Sequence, residues 1–130
     1  MSRPEPRWLG RLAIEQAHFR QIREHGGSHG LRDENVLESA LARPQQRWNY
    51  DPTATIFELA ASYEFGLAMN HPFVDGNKRV GLATCLVSLK LNGIEIAASD
   101  DDLVDLVLGV TEGRYAKSDV AVFLARHAAA

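Results

Sequence analysis

Apolar residues recur at three- and four-residue intervals along almost the whole chain, and over 56–68, the first of two central helices, they leave little polar face. Helices of that kind must be buried against other helices. The expected architecture is therefore all-α, a compact bundle of about six helices with at most a short extended hairpin or flap. A length of 130 residues predicts one domain over 1–130, with 1–8 irregular. The first helix is expected over 11–24, with Leu12, Ala13, Ala17 and Ile22 as its apolar stripe and His25-Gly26-Gly27 as its end. A second runs from an Asp33 N-cap through Val36, Leu37, Ala40 and Leu41, and Pro44 is read as its stop. Asp51-Pro52 reads as an N-cap and first position for the first central helix, and Asn92-Gly93 as the exit of the second. Ile94-Glu95-Ile96 is too short to specify more than an extended piece, while Ser99 and Asp102 resemble a capping box. A last helix is expected from Ser118, docked by Val122, Phe123 and Ala121 or Ala125.

Charge and cysteine content narrow the function classes. Fourteen Lys and Arg against seventeen Asp and Glu give a net charge of −3, whereas a domain that grips phosphate backbones is normally basic. Direct nucleic-acid binding is not expected. The single cysteine, Cys85, excludes a disulfide framework and a multi-cysteine zinc site, which favours the cytoplasm. The first residues are too rich in proline and charge for a signal peptide, and no run of about 18 apolar residues suggests a membrane span.

The informative stretch lies between the two central helices: His71-Pro72-Phe73-Val74-Asp75-Gly76-Asn77-Lys78-Arg79. Pro72 disfavours helical geometry at His71, and Gly76 permits close backbone approach, so this is a loop feeding a helix N-terminus. Such a terminus presents unpaired N–H groups and a partial positive charge, a ready seat for phosphate. Lys78 and Arg79 in that first turn oppose the helix dipole and call for a negative ligand. Asn77 can donate from its side chain to the same anion, and Asp75 offers a hard oxygen ligand for Mg²⁺. His71 remains as a base toward a hydroxyl, with Phe73 as the apolar anchor of the loop. These roles fit nucleotide-dependent group transfer.

HPFVDGNKR resembles the signature of the Fic superfamily, HPFx(D/E)GNGRxxR, and most resembles the Doc (death-on-curing) toxins of bacterial type II toxin–antitoxin systems. The similarity extends from about Leu12 to Phe123 and includes Leu31-Arg32-Asp33, the LESAL run and the LKLNG helix exit. Two positions depart from the wider signature, Lys78 for glycine and Leu82 for the final arginine, and both are departures of the Doc branch. In adenylyl-transferring members the glycine admits the α-phosphate; the resemblance to Doc implies ATP bound in the opposite sense and transfer of the γ-phosphate. It implies His71 as base, Asp75 as Mg²⁺ ligand, and Gly76, Asn77, Lys78 and Arg79 as phosphate-binding groups. The implied substrate is a threonine of elongation factor Tu, whose modification arrests translation.

No glutamate has Ser or Thr four positions before it, so the inhibitory pattern (S/T)xxxE(G/N) of many Fic proteins is missing from the sequence. The resemblance implies instead a cognate antitoxin whose C-terminal segment folds onto the toxin. Trp48 and Tyr50 are candidate contacts for target or antitoxin, with partial burial in the core as the competing reading. Two rival functions stand beside the kinase: a Fic-type adenylyltransferase using the same residues, disfavoured by Lys78, and a catalytically silent antitoxin-binding module, disfavoured by intact His71, Asp75, Asn77 and Arg79.

Overall fold

Six helices carry the chain in the computed structural model, which describes residues 3–129: α1 (Arg11–His25), α2 (Glu34–Tyr50), α3 (Ile56–Asn70), α4 (Asn77–Leu91), α5 (Asp100–Thr111) and α6 (Lys117–Arg126). Residues 3–10 have no regular structure; Met1 and Ser2, the start of the 1–8 segment expected to be irregular, lie outside the described residues. The extended piece after α4 is β1 (Glu95–Ile96), which pairs antiparallel with β2 (Ala128–Ala129), Glu95 opposite Ala129 and Ile96 opposite Ala128.

α3 is the axis of the fold because it is apolar nearly all round. One side, through Tyr63 and Leu67, joins Ile14 of α1, Leu37, Ala40 and Leu41 of α2, Val80 of α4 and the loop residue Phe73. The other, through Ala60 and Ala61, meets Cys85 and Leu89 of α4, Leu106 and Val110 of α5, and Val120 and Leu124 of α6. Small residues let α3 and α4 close on each other. A Cβ on Gly81 would stand 2.9 Å from the Glu64 carbonyl oxygen and 3.3 Å from the Ala68 nitrogen, both backbone atoms that cannot turn aside. Gly81→Val is therefore expected to destabilise the protein by about 2 kcal/mol or more through overpacking, read from the urea midpoint.

Three helix boundaries differ from the sequence reading. Pro44 does not stop α2; it is buried inside the helix, about one turn beyond Ala40 and Leu41 on the same face, and the helix runs to Tyr50. The extension is tied down by Arg47, which pairs with Asp51 at 3.5 Å and with Glu58, and by Trp48, which packs edge-on to Trp8. Tertiary contacts thus outweigh the lost hydrogen bond at proline. Asp51 is accordingly the C-cap of α2, and Thr55 caps α3: its hydroxyl accepts from the Glu58 N–H while the Glu58 carboxylate accepts from the Thr55 N–H. The third concerns α6, which begins at Lys117, where the Asp119 carboxylate accepts from the Ala116 N–H at 2.8 Å. Along α1 the buried stripe is Ile14, His18 and Ile22, whereas Leu12 is 68% exposed and Ala13 is exposed. Ser99 caps α5 through the Asp102 N–H, and Asn92 with Gly93 closes α4, as expected.

Candidate active site

His71, the residue at which α3 ends, is the only non-glycine among the described residues with positive φ (φ 51°, ψ 60°). Pro72 disfavours the right-handed helix there, and the chain turns through the left-handed region that glycine usually supplies at a helix end. The turn is held from outside. Arg32 donates from Nε to the His71 carbonyl at 2.5 Å and from Nη2 to the Asn70 carbonyl at 3.0 Å. The Arg32 and Asp33 N–H groups both donate to the Pro72 carbonyl, and Val74 N–H donates to Gly30. The segment after α1 therefore runs along the loop as a short antiparallel edge, with Leu31 bridged to Phe73.

Beneath the loop, Phe73 is buried and stacks on His18 with ring centroids 3.9 Å apart and planes 7° from parallel. His18 Nε2 lies 2.7 Å from the Asp75 carbonyl and, since a carbonyl only accepts, carries the proton. Burial pushes the His18 pKa below its ordinary value, against the opposing effect of the Asp75 carbonyl. The Asn77 side chain closes the loop on itself, accepting from the Phe73 N–H and donating to the Phe73 carbonyl, both at 3.0 Å. This corrects the expectation for Asn77: its buried side chain is committed to Phe73, and what it can offer an anion is its backbone N–H.

The Asp75 carboxylate sits at the exposed rim, accepting from the Gly76 N–H at 2.9 Å and from the Ser28 N–H at 3.3 Å. Gly27 beside it is at φ +113°, an angle that side-chain-bearing residues rarely adopt, and a Cβ there would also crowd the Asp75 carboxylate at 2.7 Å from Oδ2. The two glycines after α1, read from the sequence as a helix end, thus lie beside the loop, Gly27 next to the Asp75 carboxylate and Gly26 accepting from Arg79 through its carbonyl.

Past Asp75 the chain enters α4 through Gly76 in a left-handed conformation, with no side-chain cap and no acidic residue in the first turn. The first intrahelical bond is Val80 N–H to the Gly76 carbonyl, leaving the N–H groups of Asn77, Lys78 and Arg79 without helical partners. Capping side chains meet this need at α2, α3 and α5, from Asp33, Thr55 and Ser99. Lys78 and Arg79 are exposed; neither is in an ion pair among the described residues, and Arg79 donates to the Gly26 carbonyl at 3.3 Å. A cleft of about 260 Å³ opens here, lined by His71, Val74, Asp75, Gly76, Asn77, Lys78 and Arg79. The sequence-predicted loop residues are therefore gathered around one concavity, apart from Phe73, which anchors it from below.

Trp48 and Tyr50 do not belong to the cleft lining. Both are in the last turn of α2 rather than in a loop, where Trp48 is half-buried under the Arg3 guanidinium, 3.5 Å from its ring centroid, and Tyr50 is 74% exposed. Among the described residues no three His, Cys, Asp or Glu side chains converge to cage a metal ion. A Mg²⁺ ion that bridges phosphate oxygens needs only one or two protein carboxylates and keeps several waters, and the rim-exposed Asp75 fits that donor set. No helix among the described residues is long and apolar enough to cross a membrane.

A histidine facing an uncapped, dication-bearing helix N-terminus, on an all-helical scaffold, is an arrangement suited to binding an anionic group and moving a proton beside it. The chain belongs to the Fic/Doc family, whose model matches residues 8–89, and within it to the Doc branch. It is 35% identical over 109 residues to "Protein kinase doc" of Escherichia phage P1, covering 84% of this chain and 86% of that protein. It is also 39% identical over 77 residues to "Toxin Doc" of Mycolicibacterium smegmatis (strain ATCC 700084 / mc(2)155), covering 58% of this chain and 59% of that protein.

Proposed function

We propose that this protein is a Doc-type toxin acting as a cytoplasmic Mg-ATP-dependent protein kinase, with a threonine hydroxyl of a translation factor, elongation factor Tu, as acceptor. The observation that carries the reading is the uncapped N-terminus of α4 with Lys78 and Arg79 in its first turn. Three unpartnered N–H groups and two cations favour a highly charged ligand, and the relative named as a protein kinase supports ATP as its source. The cleft, at about 260 Å³, is below the ~300–1,000 Å³ usual for a whole small ligand, so it suits a phosphate chain with the nucleoside outside.

In this reading His71 takes the proton from the acceptor hydroxyl as its oxygen bonds to the γ-phosphorus. The bond from that phosphorus to the β–γ bridging oxygen breaks, and ADP leaves. The α4 N–H groups, Lys78 and Arg79 hold the phosphates in line; catalysis of this kind is mostly positioning and electrostatics. Asp75 would hold Mg²⁺, which supplies neutralisation of phosphate charge when bound. Asp75→Ala is expected to weaken nucleotide binding strongly in Mg²⁺ and little in its absence; calorimetric titrations equal under both conditions would remove Asp75 from the site. Since the chain carries no inhibitory glutamate pattern, restraint comes from an antitoxin in trans, through its C-terminal segment.

Lys78 separates this chemistry from adenylyl transfer. A lysine occupies and charges the space that a glycine leaves open beside the helix end, so the phosphate nearest the helix is not the one attacked. Wild type is expected to transfer label from γ-labelled but not α-labelled ATP to elongation factor Tu, with Lys78→Gly losing most of this activity. Attachment of the α-label would replace the kinase by the adenylyltransferase.

A further inference from the structure

We propose that Arg32 is the positioning residue of the base: its guanidinium, spanning the carbonyls of Asn70 and His71, keeps His71 in the left-handed turn that points the loop into the cleft. The inference rests on the reading of His71 as base. The last carbonyls of a helix need donors, and a glycine at the helix end ordinarily lets the returning backbone provide them. α3 ends on a histidine instead, and Pro72 biases that histidine toward extended backbone. Histidine adopts φ 51° more readily than most residues, but the proline after it works against that angle, so the local sequence does not by itself hold it there. A planar fork from elsewhere does, because Nε and Nη2 of one guanidinium meet two successive carbonyls at 2.5 and 3.0 Å, and its charge complements the negative end of α3.

The fork is delivered in register. Backbone N–H groups of Arg32 and Asp33 share the Pro72 carbonyl, and the Asp33 side chain caps α2 through the Val36 N–H at 3.1 Å, so the segment is fixed to the loop and to a helix at once. At the far end of the loop the Asp75 carbonyl is held independently by His18. Loss of Arg32 should therefore free the His71 end while the α4 N-terminus and Asp75 stay in place. This predicts a defect in turnover rather than in nucleotide binding.

Two readouts test it on the full chain. With elongation factor Tu as acceptor, Arg32→Ala should lower kcat about tenfold with the KM for Mg-ATP little changed, and Arg32→Lys, which supplies a point charge without the fork, should recover only part. In two-dimensional NMR, the His71 amide and ring signals should shift or split in Arg32→Ala, while those of Gly76 and Lys78 stay near their wild-type positions. Unmoved His71 signals overturn the proposal whatever the activity. So does a raised KM with kcat preserved, which would make Arg32 a nucleotide contact. If wild type labels no acceptor, the kinase reading fails, and the NMR comparison alone decides the role of Arg32.

Discussion

Replacing His71 with asparagine is expected to lower phosphoryl transfer by about 10²–10⁴-fold, the usual contribution of a positioned general base. Asparagine is the informative substitution because it is among the few residues that tolerate the left-handed conformation that His71 occupies at φ 51°. Alanine would remove the imidazole and strain the turn together. The imidazole is exposed at the cleft, so its loss should leave the core intact, with a change in stability of no more than about 1 kcal/mol. Growth arrest on induction and γ-label transfer in vitro should both disappear, with the thermal transition preserved. Wild-type toxicity in the asparagine variant would remove His71 from catalysis.

The second large effect concerns stability and arises away from the cleft. Glu64, on α3, is fully buried, and neither carboxylate oxygen has a hydrogen-bond partner; the Thr84 hydroxyl on α4 is likewise unpartnered. Burial alone pushes the Glu64 pKa from 4.5 up to about 7, and the Cys85 thiol is raised by its own burial and by the nearby carboxyl. The folded protein thus keeps a proton that the unfolded chain releases near pH 4.5. Between there and about pH 7 the folded state binds more protons, so the contribution of Glu64 to stability falls as pH rises and levels off above the folded pKa. At about 1.36 kcal/mol per unit, the span corresponds to roughly 3 kcal/mol. Glu64→Gln, which cannot ionise, should gain on wild type by up to that amount between pH 4.5 and 8 in paired urea titrations. A difference that does not change with pH would show that the carboxyl is not held protonated in the fold.

Much of the site was legible because its chemistry is local. The nine residues from His71 to Arg79 are contiguous, and Pro72 and Gly76 mark the segment as a loop whatever surrounds it. Thr55 and Glu58 were equally readable as a capping-box pattern, but Asp51-Pro52 drew the helix start four residues early. His18 left a fainter signal, a polar residue midway between Ile14 and Ile22 at four-residue spacing, on the stripe that the structure buries. The direction of the Asn77 side chain differed from expectation for another reason. An amide beside a phosphate-binding turn can face outward or inward with the same sequence, and only the Phe73 backbone, at 3.0 Å on both sides of that amide, decides between them.

The sequence by itself determined the helical class, the burial of α3 and α4, and the polar loop between them, since these follow from periodicity and from the backbone restrictions of proline and glycine. The tertiary structure alone decided that α2 continues through Pro44, that Arg32 reaches the end of α3, that His18 supports Asp75 from beneath, and that Glu64 is left without a partner. Each of these joins residues distant in the chain. Local rules describe what a segment prefers in isolation, whereas buried contacts between segments can exceed those preferences by several kcal/mol and fix which side chain meets which backbone group.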